Sequence, residues 1–225
     1  DGSIVGTIGG GILEYHVIQE ALKLIREGRP SSLYSEEFTA TEPTDTKAAC
    51  GGKAKVFLEL IGRKKEALIF GAGHVGKAVA QVASFLNYAV TVWDEREEFA
   101  NTQNIPWART IACPLDEAFE KHLSFHDLTH VIVVTRGHSL DTEVVQKLEG
   151  KKTAYIGVIG SKRKIAVMKE NLSKMGVSQE FLDSIFAPIG LPIKAETPEE
   201  IAISIMSEVI AVDNGANIKA LRQSL

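Results

Sequence analysis

Two hydrophobic periods alternate along residues 66–189 of the chain. Short runs rich in β-branched and aromatic residues predict buried strands, and segments with apolar residues three and four positions apart predict helices. The predicted strands are Ala67–Phe70, Ala89–Trp93, Arg109–Cys113, His130–Thr135, Ala154–Ile159 and Ile185–Ile189. Because these strands alternate with helices, we expect an α/β fold with a Rossmann-like, doubly wound, mostly parallel sheet.

Capping residues mark the helices between and after these strands. Thr197, followed by proline and two glutamates, predicts the N-cap of a long helix. Ser178 is expected to cap a shorter helix, and Asp141 to cap the helix that follows the fourth strand. The polar segment Glu95–Pro106 is expected to form a loop with a short helix. The last residues of the chain are expected to be frayed or to be ordered by a partner.

The first part of the chain has a different order of elements. The pattern predicts a short strand at Ile4–Ile8, a triple-glycine turn and an amphipathic helix at Ile12–Arg26. Two further strands are predicted at Ser31–Thr39 and Lys53–Ile61. Together these elements predict a small α+β domain.

The charged, glycine-led connector at residues 62–66 is the strongest predicted domain boundary. We expect an N-terminal domain over residues 1–62 and a C-terminal Rossmann domain over residues 67–225. The dipeptide Asp1-Gly2 is a hairpin signal whose first strand would precede the chain, so the N-terminal domain is expected to be incomplete at its start.

A Gly-x-Gly-x-x-Gly sequence joins the first predicted Rossmann strand to its helix. Gly71 permits the sharp turn, Gly73 lets backbone approach a phosphate, and Gly76 lets helix and strand pack closely. The helix N-terminus then offers amide groups to an anion. Asp94 ends the second strand, where a ribose-binding carboxylate is found in dinucleotide-binding proteins. His74 lies inside the loop and would face a ligand there, or is a solvated loop histidine.

Composition excludes several classes of function. The chain has 225 residues, a net charge of −4, and 44% hydrophobic and 24% charged residues, as is ordinary for a globular protein. The acidic balance gives no reason to expect nucleic acid or an anionic membrane as a partner. No apolar run approaches the ~18 residues that would cross a bilayer. Two cysteines do not make a disulfide framework, so we expect reduced thiols and a cytoplasmic location.

Loops at the expected carboxyl edge of the sheet carry further candidate chemistry. His138 and Asp141 follow a buried strand, where a histidine can donate to a carboxylate and gain basicity. Gly160 and Ser161 precede three cations, among them Arg163, at a predicted helix start, which suits a phosphate or a carboxylate. The alternatives are a histidine without function, an aspartate that only caps its helix, and a solvated basic patch.

Two features of the N-terminal part admit both functional and structural interpretations. Gly10 and Gly11 belong to the triple-glycine turn, which exposes amides to an anion or is simply flexible. Cys50 precedes two glycines, so an accessible thiol there can ligate a soft metal or accept a persulfide sulfur, or else it is a small buried residue. Cys113 ends a strand and is expected to be structural. No cysteine and histidine set has the spacing of a zinc site.

These stretches together resemble the xanthine dehydrogenase accessory protein family of the XdhC/CoxI type. The residues that carry the resemblance run through nearly the whole chain in family order: Gly6–Gly11 with Leu13-Glu14, Cys50–Gly52, Phe70–Gly76, Asp94 with Arg96, Thr135–His138 with Asp141, Tyr155–Ser161 with Arg163-Lys164, Ala187–Gly190 and Ala195–Ala202. Ile12 departs from the pattern, because relatives often carry a small residue or cysteine there.

The resemblance implies a chaperone for the molybdenum cofactor rather than an enzyme. Such proteins bind the pyranopterin cofactor while a cysteine desulfurase supplies its sulfido ligand, hand it to a molybdenum hydroxylase, and are commonly homodimers. A phosphate would then rest on the 71–76 or 160–161 amides, with Cys50 and His138 facing the molybdenum. Two alternatives remain open. One is an NAD-dependent oxidoreductase, motivated by Asp94, and the other is a regulatory module with a vestigial nucleotide site.

Overall fold

The computed structural model describes residues 3–27, 29, 31–38, 52–61 and 64–224. The chain divides into two compact units, residues 1–63 and residues 64–225. In the first unit, helix α1 (Gly11–Glu27) is followed by strands β1 (Ser31–Phe38) and β2 (Gly52–Glu59). The two strands pair antiparallel, and the helix contacts the first of them.

The predicted strand at Ile4–Ile8 is wrong, because residues 3–10 form bends and irregular backbone. Three described glycines in this segment and the first residue of α1 have positive φ, between 72° and 117°, which extended strands do not use. The segment instead wraps the N-terminus of α1. The β-branched run is a misleading signal because it contains no information about a partner strand.

The second unit is a three-layer α/β structure around a five-stranded sheet. Its strands are β3 (Glu66–Phe70), β4 (Ala89–Trp93), β5 (Arg109–Ile111), β6 (Thr129–Val133) and β7 (Tyr155–Val158). All neighbours pair in parallel, in the order β5-β4-β3-β6-β7. The order reverses direction at β3, so the chain's topological switch point lies between β3 and β6. The predicted doubly wound Rossmann sheet is confirmed.

Helices cover both faces of this sheet. Helices α2 (His74–Phe85) and α7 (Pro198–Asp213) pack together on one face, around residues such as Ile69 and Ile132. The other face is covered by four helices: α3 (Leu115–Glu117), α4 (His138–Leu148), α5 (Lys162–Lys174) and α6 (Gln179–Ser184). The short helix α3 continues into a π-helical turn over residues 118–122. The burial of strand residues on both faces explains why the strands read as continuous apolar runs.

Capping residues define these helices largely as the sequence predicts. Thr197 and Glu200 form a reciprocal capping box at α7, and Ser178 accepts a hydrogen bond from the Phe181 amide at α6. The expected cap at Asp141 is wrong. Gly137 is the N-cap of α4, so Asp141 lies in the first turn of a helix that begins earlier.

Three further expectations are corrected by the structure. Residues 95–106 form successive turns without a helix. Segment 185–189 makes only a bridge between Phe186 and Gly157 beside β7 rather than a strand. The end of the chain is helical, because α8 (Ile218–Ser224) is anchored through Arg222 to the buried Glu208 carboxylate. This anchor is invisible in the sequence because it depends on a partner on α7.

Candidate functional site

The three glycines of the loop between β3 and α2 have two different roles: two are required by close packing, and one leaves space for a ligand. Gly71 has φ +109°, and a Cβ there would lie 2.5 Å from the Val134 carbonyl oxygen. A Cβ at Gly76 would lie 1.8 Å from the Gly71 carbonyl oxygen, so both positions require glycine. A Cβ at Gly73 would meet no described atom within 4 Å. The open space above Gly73, at the N-terminus of α2, is therefore where a ligand can approach backbone.

Asp94 fixes the position of this loop through hydrogen bonds to its carboxylate. Its Oδ2 accepts a hydrogen bond of 2.9 Å from the Ala72 amide and another of 2.9 Å from Arg96 Nη2. Its Oδ1 accepts from the Arg96 amide at 3.2 Å and from Arg96 Nε at 2.8 Å. A carboxylate has about four acceptor positions. All of them are therefore used inside the protein.

The ionised state of Asp94 is stabilised by these contacts. Burial opposes ionisation, but the hydrogen bonds from Arg96 and from the Ala72 amide together outweigh it and hold the pKa of Asp94 below its ordinary value. The Arg96 guanidinium also lies 4.0 Å from the centre of the Phe99 ring. Asp94 thus fixes the glycine loop and Arg96, and a ribose diol would have to displace Arg96 to bind it.

A crevice of about 290 Å³ opens at the carboxyl ends of β3, β4 and β6, at the switch point of the sheet. It is lined by Gly71, by residues 93–96, by residues 135–137 and by residues 139–140. Arg96 and Arg136 both line it, and Glu95 is the other charged residue there besides Asp94. The crevice therefore combines part of the glycine loop with two guanidinium groups and two carboxylates. Because Arg96 is paired with Asp94, Arg136 is the cation best placed to receive an anion such as a phosphate group.

The loop after β6 supplies one wall of this crevice. The Thr135 hydroxyl donates a hydrogen bond of 2.5 Å to Asp141 Oδ1, which ties the loop to the first turn of α4. Asp141 is buried, so its carboxylate orients the loop rather than facing solvent. His138 is the first residue of α4, and its side chain lies outside the described part of the structure. The proposed histidine–carboxylate pair therefore stays a prediction.

Gly160, Ser161 and Arg163 lie at the adjoining start of α5. Ser161 caps the helix by accepting a hydrogen bond from the Lys164 amide at 3.3 Å, and Arg163 is exposed. Ser161 and Arg163 line a second cavity of about 900 Å³ between α4 and α5. Ser139 lines both this cavity and the crevice, so the two cavities adjoin. His74, in contrast, is exposed at the start of α2 and lines neither cavity.

The triple-glycine turn of the first unit is occupied by the protein's own carboxylate. Glu14 Oε2 accepts hydrogen bonds from the Thr7 hydroxyl and from the amides of Ile8 at 3.0 Å and Gly10 at 3.4 Å. The Thr7 hydrogen bond, with those amides, holds the pKa of Glu14 below its ordinary value. Gly10 and Gly11 thus shape a turn that already contains an anion, which the sequence did not reveal.

Cys50, with Gly51, lies outside the described residues, so its assignment as a ligand stays a prediction. Cys113 is a free, partly buried thiol, and burial raises its pKa, which reduces its reactivity. Within the described ranges, no group of three histidine, cysteine or acidic side chains is placed to hold a metal ion. No helix in that part of the chain is long and apolar enough to cross a membrane.

Two arginines of the crevice are poorly indicated by the sequence. Arg136 was missed as a site residue, although it directly follows the polar end of a buried strand next to the switch point, and that position was the available signal. Arg96 is indicated only through the family resemblance. Arg96 follows Asp94 by two residues, and this spacing allows its Nε and Nη2 atoms to donate to the two Asp94 carboxylate oxygens, as the structure shows. This spacing could have indicated the pair.

Comparison with known proteins covers both units. The XdhC Rossmann domain matches residues 67–209, and the XdhC and CoxI family matches residues 1–35. The chain is 35% identical over 219 residues to the uncharacterized protein YqeB of Escherichia coli K12, covering 96% of this chain and 40% of that protein. It is 23% identical over 241 residues to the molybdenum cofactor insertion chaperone PaoD of the same strain, covering 94% and 75% respectively.

A solved structure supports the fold. A Bacillus halodurans protein whose crystal structure is described as a xanthine dehydrogenase superposes with a TM-score of 0.60 at 19% identity, over 95% of this chain and 84% of that one. At this identity the likeness concerns the fold alone. The chain spans less than half the length of YqeB, so the full activity of such a relative is not transferred to it.

Proposed function

The chain belongs to the XdhC and CoxI family, and from this premise we propose that it acts in an accessory factor that binds the molybdenum cofactor and delivers it to a molybdenum hydroxylase of the xanthine dehydrogenase type. One observation carries the proposal: in the crevice at the switch point, the guanidinium groups of Arg96 and Arg136 lie beside the glycine loop, whose Gly73 has an open face, so that together they can receive the phosphate of the cofactor. The name of the relative PaoD agrees with this role.

The crevice favours a phosphate for two physical reasons. Helix α2 has 12 residues, so its N-terminus presents amide groups and a partial positive charge to an anion. Arg136 has no ion-pair partner within the described part of the chain, which leaves its guanidinium available to a ligand. The cofactor is cargo here, held and released rather than consumed.

The proposal also includes a sulfur donor, an oligomeric state and a cellular location. A cysteine desulfurase would supply the sulfido ligand while the cofactor is bound, and the protein would work as a homodimer in the cytoplasm. Cys50 is our candidate for facing the molybdenum or carrying sulfur, and His138 and Asp141 are candidates for the same chemistry. For Cys50 and His138 this assignment rests on the sequence. We also propose that residues 1–62 and residues 67–225 act as separate domains.

The NAD-dependent alternative is less well supported by the geometry. Its motivation is a carboxylate at Asp94 free to bind the ribose diol. That carboxylate is instead surrounded by four donors from Arg96 and Ala72. Gly71 and Gly76 are required by packing alone, so they do not bear on the vestigial alternative, whereas the open face of Gly73 makes no packing contact within the described residues and favours a site that still binds a ligand.

The functional test uses a molybdenum hydroxylase prepared without its cofactor. The purified protein, loaded with molybdenum cofactor in the presence of a cysteine desulfurase, is mixed with the cofactor-free hydroxylase, and xanthine oxidation is followed. We expect activity to rise well above that obtained with free cofactor. The proposal fails if the protein takes up no molybdopterin and leaves hydroxylase activity unchanged.

A further inference from the structure

The groove between α4 and α5 has no role in the proposal so far. It measures about 900 Å³, within the size range of sites for small organic ligands. Its middle is apolar, with Val167 and Met168 in the lining, and Val167 is 51% exposed. Ser139 and Ser161 line its end next to the crevice, and Asn171 and Lys174 line it near the C-terminal end of α5. The groove is thus the open continuation of the phosphate crevice.

Glu143 gives this groove a chemical preference. It lines the groove from α4, is exposed, and makes no hydrogen bond or ion pair within the described part of the chain. An ionised carboxylate with two free oxygens can accept two parallel N–H groups from one planar partner. The 2-amino-4-oxo pyrimidine edge of a pterin presents such a pair, its exocyclic amino group and the neighbouring ring N–H.

We propose that the α4–α5 groove binds the pterin ring of the cofactor, with Glu143 accepting the hydrogen bonds of its amino-pyrimidine edge. The ring faces would pack against Val167 and Met168, because thioether sulfur makes favourable contacts with aromatic rings. Ser139, shared by both cavities, marks the passage between ring and phosphate. This assignment rests on the proposed function and adds the part of the site that recognises the ring.

Charge supports the same orientation of the ligand. Arg163 and Lys164 line the groove at its Ser161 end, near the crevice and away from the apolar middle. Lys174 lines the opposite end, but its ammonium group is paired with Glu170 at 2.7 Å. Cations placed there favour the anionic end of the ligand at the crevice, whereas the carboxylate of Glu143 disfavours it along α4. A phosphorylated pterin therefore fits in one direction, with its phosphate towards Arg96 and Arg136.

Two ring compounds without phosphate test this recognition. Fluorescent 6-hydroxymethylpterin carries the amino group, and 6-hydroxymethyl-lumazine has an oxygen in its place. We expect the wild-type protein to bind the pterin roughly tenfold more tightly than the lumazine, since a charge-assisted hydrogen bond is lost. In Glu143→Gln the preference should shrink to about twofold or less, because the amide is neutral and offers one acceptor oxygen.

Val167→Asp tests the groove independently of Glu143. Val167 is half exposed, so the variant should fold, while the added charge should lower pterin affinity roughly tenfold or more. Ile203→Asp is the matched control, because Ile203 on α7 is 50% exposed and does not line the groove. Circular dichroism confirms that both variants fold, and the control should bind pterin as the wild type does.

The outcomes separate this inference from the proposed function. If wild-type protein binds molybdopterin but Glu143→Gln and Val167→Asp bind both molybdopterin and the pterin unchanged, the groove assignment is wrong and the proposed function stands. If Val167→Asp binds pterin normally and only fails to activate the hydroxylase, the groove contacts a protein and the assignment is also wrong. If wild-type protein binds no molybdopterin, the proposed function itself fails.

Discussion

Arg96 lies across Asp94 with two guanidinium nitrogens at 2.8 and 2.9 Å from its two carboxylate oxygens. The pair sits below the glycine loop, since Asp94 also accepts the Ala72 amide. The residue that a dinucleotide-binding protein uses for ribose is here a support for the loop and for an arginine. This relationship argues against a ligand held through a ribose diol, such as a nicotinamide dinucleotide, and leaves a phosphate group as the part of the ligand that the loop can bind.

The first prediction concerns NAD. Because four donors already occupy the Asp94 carboxylate, a calorimetric titration of the wild-type protein with NAD should show no binding in the micromolar range. Asp94→Asn should lower the free energy of unfolding by roughly 1–3 kcal/mol in urea, since a buried arginine contact and an amide contact are weakened. Micromolar NAD binding by the wild type would contradict this account of Asp94.

The second prediction separates the glycines of the loop. Gly73→Ala should change the free energy of unfolding by about 1 kcal/mol or less, because its methyl group would enter open space and Gly73 is only the N-cap of α2. Gly76→Ala should fail to reach the native structure or should unfold at much lower urea concentration, because its Cβ would lie 1.8 Å from a carbonyl oxygen. Similar stability of both variants would contradict the loop geometry.

The third prediction concerns acid stability. His130 Nε2 lies 2.6 Å from Asp213 Oδ1, and Lys65 and Tyr88 donate to Oδ2 at 2.7 and 2.8 Å. Burial opposes ionisation of Asp213, but these hydrogen bonds prevail and hold its pKa below the ordinary value of 3.8. The unfolded chain therefore takes up this proton first as pH falls, so the stabilisation is complete above about pH 5 and is lost as pH falls below 4.

The Asp213→Asn variant tests the direction of this pH dependence of stability. The variant should be less stable than the wild type at pH 7 by roughly 1–3 kcal/mol, and its stability should fall less steeply between pH 5 and pH 2. Urea unfolding across this range measures both effects. Asp127→Asn, at an exposed position, should follow the wild-type profile. Parallel profiles for Asp213→Asn and the wild type would count against the account.

The fourth prediction concerns the end of the chain. Glu208 has no exposed surface, and its Oε2 accepts from Arg222 Nη2 at 2.6 Å and Nε at 3.1 Å. Arg222→Ala should cost roughly 3–5 kcal/mol, because it leaves a buried carboxylate without its cation. Adding Glu208→Gln to that variant should recover part of the loss, since the buried charge is removed. No recovery in urea unfolding would show that the pair acts through packing alone.

Periodicity and capping chemistry predicted most of the Rossmann unit. The strands ending at Phe70 and Trp93 and the caps Ser178 and Thr197 depend on residues close in sequence, so local patterns reveal them. The expected strand at Ile4–Ile8 failed because strand formation depends on a partner that a local pattern does not contain.

The sequence predicted where the candidate site lies in the fold, but not which of its polar groups are already occupied by hydrogen bonds within the protein. The switch point and the glycine loop follow from the strand order, and the crevice lies there. The saturation of Asp94 and the filling of the triple-glycine turn by Glu14 depend on side-chain directions that the sequence does not specify. In both cases a protein charge occupies a site that the sequence alone presents as open to a ligand.

The most direct test of the central claim is the cofactor content of purified protein. Wild type, Gly73→Ala and the control Gln81→Ala, an exposed position on the same helix, are produced in cells that make molybdenum cofactor. Molybdenum and oxidised pterin fluorescence are then measured per protein. The wild type and Gln81→Ala should retain cofactor, and Gly73→Ala should retain less than about a tenth of that amount, because its methyl group blocks the phosphate. Equal cofactor in all three, or none in the wild type, would contradict the claim.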